Sequence, residues 1–279
     1  MLIFINHPSV VLVSGGLDSA VTLAMAQREC LENPPLFPST YNHVLAVSFD
    51  YGQRHVAELD AAKRVVANLN RGGPRPKPGR QGWIDHQILW LPRLAVAGSA
   101  LTPVQQRSDL VPGPFGPDVP KGRSEAEIGE GVPETYVPAR NLMMLSLAAG
   151  LAESQLASDV WIGVNAVDYS GYPDCRPAFI EAFQRCLDVG TKSGDAGDAV
   201  RVRTPLIDMT KAQIIRKGLE LGVDFSITLS CYDPDESGFP CGACDACLLR
   251  RRGFADAGIP EPTRPRPKPR PIRTDRLVE

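Results

Sequence analysis

Val10-Val11-Leu12-Val13-Ser14-Gly15-Gly16-Leu17-Asp18-Ser19 is the stretch that decides the fold. The first four residues are apolar and mostly β-branched, which predicts a strand, and apolar residues at helical spacing follow over Ser19–Cys30. A glycine-rich turn therefore joins the carboxyl end of a strand to the start of a helix. Such a junction is an anion site, because free N–H groups and the helix dipole face whatever sits there. Gly15 and Gly16 let the backbone approach a ligand without a Cβ in the way, and Ser14 and Ser19 add hydroxyl donors. Unlike a Walker A loop, the turn carries no Gly-Lys-Ser/Thr, so no lysine is set against a γ-phosphate. A tight turn with an ordinary Ser/Asp cap explains two glycines equally well.

Outward from this turn, apolar runs bounded by turn residues recur at Val44–Phe49, Ile88–Leu91, Val160–Val164 and Val200–Arg203, each predicted as a strand. Helical patterns lie over Val56–Asn70, Asn141–Ala157, Pro177–Asp188 and Thr210–Leu221, the last with Thr210 as N-cap and Gly222 as its stop. Strand and helix in alternation predict an α/β fold: a doubly wound, mostly parallel sheet with helices on both faces. Two segments break the alternation. Arg71–Trp83 is rich in Gly and Pro, and Gly98–Pro138 carries seven prolines, too many for a helix or a central strand. The second is long enough to be a substrate cover.

The chain has 279 residues, 43% of them hydrophobic, with 30 Lys+Arg against 32 Asp+Glu. That excludes a disordered or fibrous protein. Apolar stretches such as Leu142–Leu151 are too short to cross a bilayer, and Met1–Val13 lack a basic n-region and a small-residue cleavage site, so a cytoplasmic protein with no membrane partner is expected. Basic charge crowds only the tail, at Arg264, Arg266, Lys268, Arg270 and Arg273, and the near-neutral body predicts no stable nucleic-acid partner.

Seven cysteines are an odd number, and Cys231, Cys241, Cys244 and Cys247 fall within seventeen residues. Four thiolates at this spacing fit a closed tetrahedral Zn2+ site, with an iron–sulfur cluster as the alternative. With every position filled by sulfur, the zinc is structural. The expected organisation is thus an α/β domain over residues 1–225 with its proline-rich loop at 98–138, a small C-terminal four-cysteine zinc-binding lobe at 226–260, and a Pro/Arg-rich tail at 261–279.

The string Ser14–Ser19 after a first strand resembles the pyrophosphate loop of the N-type ATP pyrophosphatases, which cleave ATP between the α and β phosphates and form adenylated intermediates. Four more strings follow in order: Asp50-Tyr51-Gly52-Gln53-Arg54-His55, Thr135-Tyr136-Val137-Pro138-Ala139-Arg140-Asn141, Asp168 through Pro177, and the cysteine cluster. Together they are similar to the 7-cyano-7-deazaguanine synthase family of queuosine biosynthesis. The resemblance implies an adenine nucleotide alpha hydrolase-like fold and an ATP-dependent ligase. In such an enzyme 7-carboxy-7-deazaguanine is adenylated, ammonia gives the amide, and a second ATP activates the amide oxygen so that AMP leaves and the nitrile remains. ATP with Mg2+ is then held at Val13, Ser14, Gly15, Gly16, Leu17, Asp18 and Ser19, with Asp18 assisting the magnesium-bound triphosphate.

The residues expected to act are Asp18, Ser19, Arg140 and Lys211. Arg140 follows the proline-rich loop at a helix start, where its fork suits a carboxylate or phosphate, although a surface ion pair is the plainer reading. Lys211 matches a lysine late in many such pyrophosphatases, against the plainer reading of an exposed first-turn lysine. The acceptor is assigned to Tyr136, Arg140, Asn141, Asp168, Tyr169, Asp174 and Arg176, a carboxylate suiting the donor edge of a guanine-like ring and a tyrosine offering a stacking face. A rigid Gly-Pro turn is the alternative for Asp168–Arg176. Ala178 stands where the family usually has an acidic residue, so that position receives no role. His55 is a candidate general base or a cap. The family implies a homodimer. Competing readings are an adenylating enzyme acting on a tRNA base or on a peptide or protein carboxylate, and a zinc-dependent nucleic-acid-binding module.

Overall fold

Val10 and Val11 are both fully buried, so the first strand is covered on both faces, as in a parallel sheet flanked by helices. The structure of the chain, a computed structural model, describes residues 6–33, 42–54, 57–72, 82–91, 99–102, 118–128, 131–167 and 171–264. Strands β1 (Asn6–Leu12), β2 (Asn42–Asp50), β3 (Ile84–Trp90), β4 (Asp159–Trp161) and β5 (Arg201–Arg203) form one sheet in the order β3-β2-β1-β4-β5. Every pairing is parallel, with Val11 opposite Ala46 on one side and Trp161 on the other. All five predicted strands are present, although β3 starts four residues before the expected Ile88.

Alternation along β1 divides the core. Val11 and Val13 pack with helix α1 (Leu17–Glu32), helix α2 (Ala57–Gly72) and helix α7 (Lys211–Glu220), while Val10 and Leu12 pack with helix α4 (Arg140–Ser154) and helix α5 (Pro177–Gly190). Helices on both faces complete the doubly wound architecture expected from the sequence. Two further helices, α3 (Glu125–Ile128) and α6 (Lys192–Asp195), are single turns.

Helix α7 begins with a capping box, Thr210 accepting from Gln213 N while the Gln213 side chain accepts from Thr210 N. Gly222, at φ +77°, ends it. Helix α8 (Asp245–Ala257) has no counterpart in the predicted elements, because cysteine, three consecutive arginines and Gly253 obscure its apolar stripe. Phe254 and Ala257 nevertheless join the core beneath α1, with Phe254 meeting Phe225 edge to face at 5.5 Å between ring centres.

The order of the strands reverses between β1 and β4, and the connections there leave the sheet in opposite directions. That divergence opens a crevice at the carboxyl ends of the strands.

Candidate active site

Into this crevice falls the turn Ser14–Ser19. Gly15 is left-handed (φ +84°), and a Cβ there would stand 2.4 Å from Glu58 O and 2.6 Å from Ala62 N. The glycine is therefore demanded by the close passage of α2. Gly16, the N-cap of α1, has φ −76° and ψ 168°, and a Cβ on it would meet nothing nearer than Ser14 Oγ at 3.4 Å. Its freedom serves the open side of the loop.

The hydroxyls of the turn face its own amides. Ser14 N donates to Ser19 Oγ at 3.3 Å, Gly16 N to Ser14 Oγ at 3.4 Å, and Leu17 N to Ser230 Oγ at 3.3 Å. These contacts are long, so an anion with stronger acceptor oxygens can replace them. Ser230, unmarked by the sequence, is the residue before Cys231, and Leu229 N donates to Gly15 O at 2.9 Å. Two bonds thus stitch the cysteine segment to the turn Ser14–Ser19.

A cleft of about 310 Å³ extends from the loop. Its floor is apolar, with Val47 and Phe49 from β2, Met144 from α4, and Ile162 and Val164 after β4. Lys211 enters from α7, with Nζ 2.9 and 2.8 Å from the two carboxylate oxygens of Asp18. It is not the exposed first-turn lysine of the plainer reading. Its stem lies on Gly253 of α8, where a Cβ would stand 2.3 Å from Lys211 Cγ.

Arg140 enters from the opposite wall. Its backbone follows Ala139, held left-handed at φ 55°, and Ala139 N donates to Tyr136 Oη at 3.2 Å. Asp174 accepts from Asn141 N at 3.0 Å, which fixes the first turn of α4. Around the guanidinium stand Tyr51, to which it is hydrogen-bonded, Tyr172 and Tyr232. Burial alone lowers the pKa of Arg140, but Tyr51 and Tyr172 more than offset it, so the net direction is upward and the cation persists. Thr135 Oγ1 and Tyr172 Oη lie 2.7 Å apart, and Tyr172 Oη donates to Tyr232 Oη at 3.2 Å.

Glu58, on the first turn of α2, was not found by sequence reasoning. Its Oε1 accepts from Gln53 Nε2 at 2.9 Å, and Gln53 is itself anchored by Phe49 O and Tyr51 N. Burial pushes the Glu58 carboxyl up to about 7, against the opposing influences of Arg140 and the Gln53 bond. The signal available in the sequence was Gln53, five residues ahead of it.

Of the residues expected to bind ATP, all but Gly15 line the cleft; Gly15 shapes the turn from behind. Arg140, Asn141 and Lys211 line it too. Tyr136, Asp174 and Arg176 do not: the first two order the turn that presents Arg140, and Arg176 is exposed at the N-cap of α5. Asp168, Tyr169 and His55 lie outside the described residues. Cys175 borders the cleft, but burial, followed by Asp174, pushes its thiol up to about 12, and burial pushes Cys30 up to about 11. Neither is a ready nucleophile.

The four clustered cysteines converge, their sulfurs all within 4.8 Å of one another and Cys244 Sγ 3.9 Å from Cys231 Sγ. A tetrahedron with metal–sulfur bonds of about 2.3 Å has sulfur–sulfur edges of roughly 3.8 Å, so the donor set fits a metal ion. Backbone N–H groups point at the sulfurs, Cys241 N at Cys231 Sγ (3.2 Å) and Tyr232 N at Cys244 Sγ (3.4 Å), which favours thiolates. Part of the proline-rich loop is strapped to this knot. Gly122 N donates to Ala243 O at 2.9 Å, Lys121 pairs with Asp233 at 2.6 Å, and Arg123 pairs with buried Asp245.

A parallel α/β sheet with a serine-glycine turn at its carboxyl edge, faced by a lysine and an arginine, forms a crevice of the kind in which doubly wound α/β proteins bind their ligands. The sequence matches the family described as Queuosine biosynthesis protein QueC over residues 8–258, and the chain belongs to that family. Among curated relatives, the 7-cyano-7-deazaguanine synthase of Desulfatibacillum aliphaticivorans is 48% identical over 93% of this chain and 97% of its own. Those of Methylococcus capsulatus and Myxococcus xanthus are 48% and 47% identical, each over 92% of this chain, and over 98% and 96% of their own. No helix among the described residues is long and apolar enough to cross a membrane.

Proposed function

We propose that the chain is an ATP-dependent ligase that converts 7-carboxy-7-deazaguanine and ammonia to 7-cyano-7-deazaguanine. The observation that carries this reading is the meeting of the phosphate loop, Lys211 and Arg140 in one cleft of a QueC-family chain. The triphosphate lies along Ser14–Ser19, and the apolar floor at Phe49, Met144 and Val164 takes a flat ring. Arg140 holds the acid opposite the α-phosphorus, and Lys211 meets the charge that develops on the departing pyrophosphate.

The carboxylate oxygen attacks Pα, and the bond from Pα to the bridging oxygen breaks with loss of pyrophosphate. Ammonia adds to the acyl carbon and AMP leaves, giving the amide. The amide oxygen then attacks Pα of a second ATP, and the bond from Pα to the bridging oxygen breaks with loss of a second pyrophosphate. Loss of AMP breaks the remaining C–O bond as nitrogen surrenders its two protons, so each carboxylate oxygen departs on one AMP.

Those protons need an acceptor. Among the described residues, Asp18 and Glu58 are the carboxylates that line the cleft, and Lys211 occupies Asp18. Glu58 is thus the group we assign as proton acceptor, taking the two protons in succession and releasing each to solvent, its near-neutral pKa suiting the task. Asp18 is the carboxylate that would hold magnesium brought with ATP, with Lys211 turning from it to the phosphates, and the ion would supply charge to neutralise the leaving pyrophosphate. The metal at Cys231, Cys241, Cys244 and Cys247 is zinc in this reading, with no coordination position left for chemistry.

Incubation with 7-carboxy-7-deazaguanine, ammonia and Mg-ATP, followed by mass spectrometry, tests the assignment. The expected products are the nitrile, AMP and pyrophosphate. A folded, metal-loaded protein that formed neither amide nor nitrile would overturn the acceptor.

A further inference from the structure

On the other side of the segment Leu229–Cys231 from the nucleotide cleft lies a second pocket of about 480 Å³. Four arginines line it: Arg64 from α2, Arg250 and Arg251 from α8, and Arg264 beyond it. Among the described lining residues the one carboxylate is Glu261, which is committed to Arg250 at 2.7 Å. Arg250 is otherwise consumed by the fold, donating to Thr228 Oγ1 at 2.7 Å and to Phe225 O at 2.8 Å. Arg251 donates to Gly242 O at 2.9 Å, inside the cysteine loop, and belongs to that side.

Arg64 and Arg264 are different. Arg64 Nη2 makes one long contact, to Ile227 O at 3.4 Å, and its Nε is buried with no hydrogen-bond partner among the described residues. A buried, unmatched guanidinium N–H costs free energy unless something accepts from it. Arg264 is held in place, its guanidinium stacked 4.3 Å from the Phe239 ring centre and one nitrogen donating to Ser237 O at 2.9 Å. Burial, and next the charge of Arg264, push the Arg64 pKa down, with Asp60 acting weakly the other way. Asp60 is already bonded to Lys63 at 2.9 Å. Two like charges that feel each other across a pocket, neither paired with a carboxylate there among the described residues, are the arrangement an anion relieves.

From this geometry we infer a second anion site that takes a phosphate group between Arg64 and Arg264, separate from the phosphate loop. A phosphoryl group has enough oxygens to accept from a guanidinium on each of two walls, whereas a single carboxylate has two oxygens and satisfies one fork. The pocket accommodates orthophosphate, pyrophosphate or the phosphate of a mononucleotide. The wall it shares with the cleft carries Ser230, which bonds the phosphate loop at Leu17 N.

The test is equilibrium dialysis of the full chain with radiolabelled pyrophosphate after the cleft has been saturated with α,β-methylene-ATP. Orthophosphate and AMP are run in parallel arms. One further equivalent of a phosphate species is expected to bind, and the arm that binds tightest identifies the source. Arg264→Gln and Arg64→Gln are each expected to weaken that binding about ten-fold or more while leaving nucleotide binding unchanged. No binding beyond the nucleotide, or binding indifferent to both substitutions in proteins that melt like the parent, would overturn the site. Because the readout is binding, failure of the nitrile assay leaves it standing.

Discussion

Lys211 Nζ is bonded to both carboxylate oxygens of Asp18, at 2.9 and 2.8 Å, although 193 residues separate the two in the chain. The pair sets a cation beside the turn Ser14–Ser19. Both groups are partly shielded, with side-chain exposures of 16% for Lys211 and 31% for Asp18, so the contact orients the lysine more than it stabilises the fold. Lys211→Met is expected to slow pyrophosphate release by a factor of about 100, the scale set by losing one preorganised charge. Gly253→Ala leaves the lysine present but drives a methyl group against its Cγ, and a ten-fold or larger loss is expected there as well. Full activity in both variants would remove Lys211 from the phosphate site.

Gly15→Ala tests the packing behind the loop. The substitution combines a left-handed backbone with a methyl group 2.4 Å from Glu58 O, where backbone and not a flexible side chain must move. A loss of about 2–4 kcal/mol in urea unfolding is expected. Gly16→Ala, with ordinary φ and open space, costs less than about 1 kcal/mol but blocks phosphate approach. The two glycines therefore separate: one variant fails in stability, the other in ATP binding.

Glu58 supplies a pH signature with two readouts. Its folded pKa of about 7 lies above the ordinary 4.5, so between those values the folded protein holds a proton that the unfolded chain has released. The group's contribution to stability consequently falls as pH rises through that window, and Glu58→Gln should flatten that part of the stability profile. As proton acceptor, Glu58 gives a turnover that rises with an apparent pKa near 7, and the glutamine variant should lose about 100-fold and that limb of the profile. A variant with unchanged turnover and an unchanged profile refutes the assignment.

Metal removal should be structural in effect. Elemental analysis is expected to return one zinc per chain, and the protein should lack the visible absorption of an iron–sulfur cluster. Cys231, Cys244 and Cys247 share a packed cluster with Ala100, Leu101, Val119 and Val137, so chelation loosens the strapped parts of the proline-rich loop along with the cysteine segment. Cys244→Ser should lower the melting temperature by roughly 10 °C or more. Protease sites should appear first within residues 118–128. A metal-free variant that melts like the parent would contradict the assignment.

Legibility in the sequence followed the range of the interactions. The strand-turn-helix at Val10–Ser19 was readable because its signals are local: a β-branched run, glycines and helical periodicity. The four cysteines were readable for the same reason, three of them lying at spacings of three. Helix α8 was not, since its buried face is Asp245, Cys247, Arg250, Gly253, Phe254 and Ala257, and only tertiary partners make an arginine and an aspartate interior residues. Arg250 is buried because Glu261, Thr228 and Phe225 O satisfy it.

The candidate site divides in the same way. Local patterning determined that this chain has a Ser-Gly turn at a strand's carboxyl edge, a parallel sheet around it and four cysteines that can hold a metal. Which side chains face the loop was decided by tertiary structure alone. Asp174, assigned to the substrate by its type, accepts from Asn141 N at the start of α4 behind Arg140, and Glu58 becomes the cleft's second carboxylate among the described residues because α2 crosses the turn at Gly15. The physical reason is that residue type and spacing set what a segment can form by itself, whereas burial, and with it the charge a carboxylate carries, depends on neighbours brought from far along the chain.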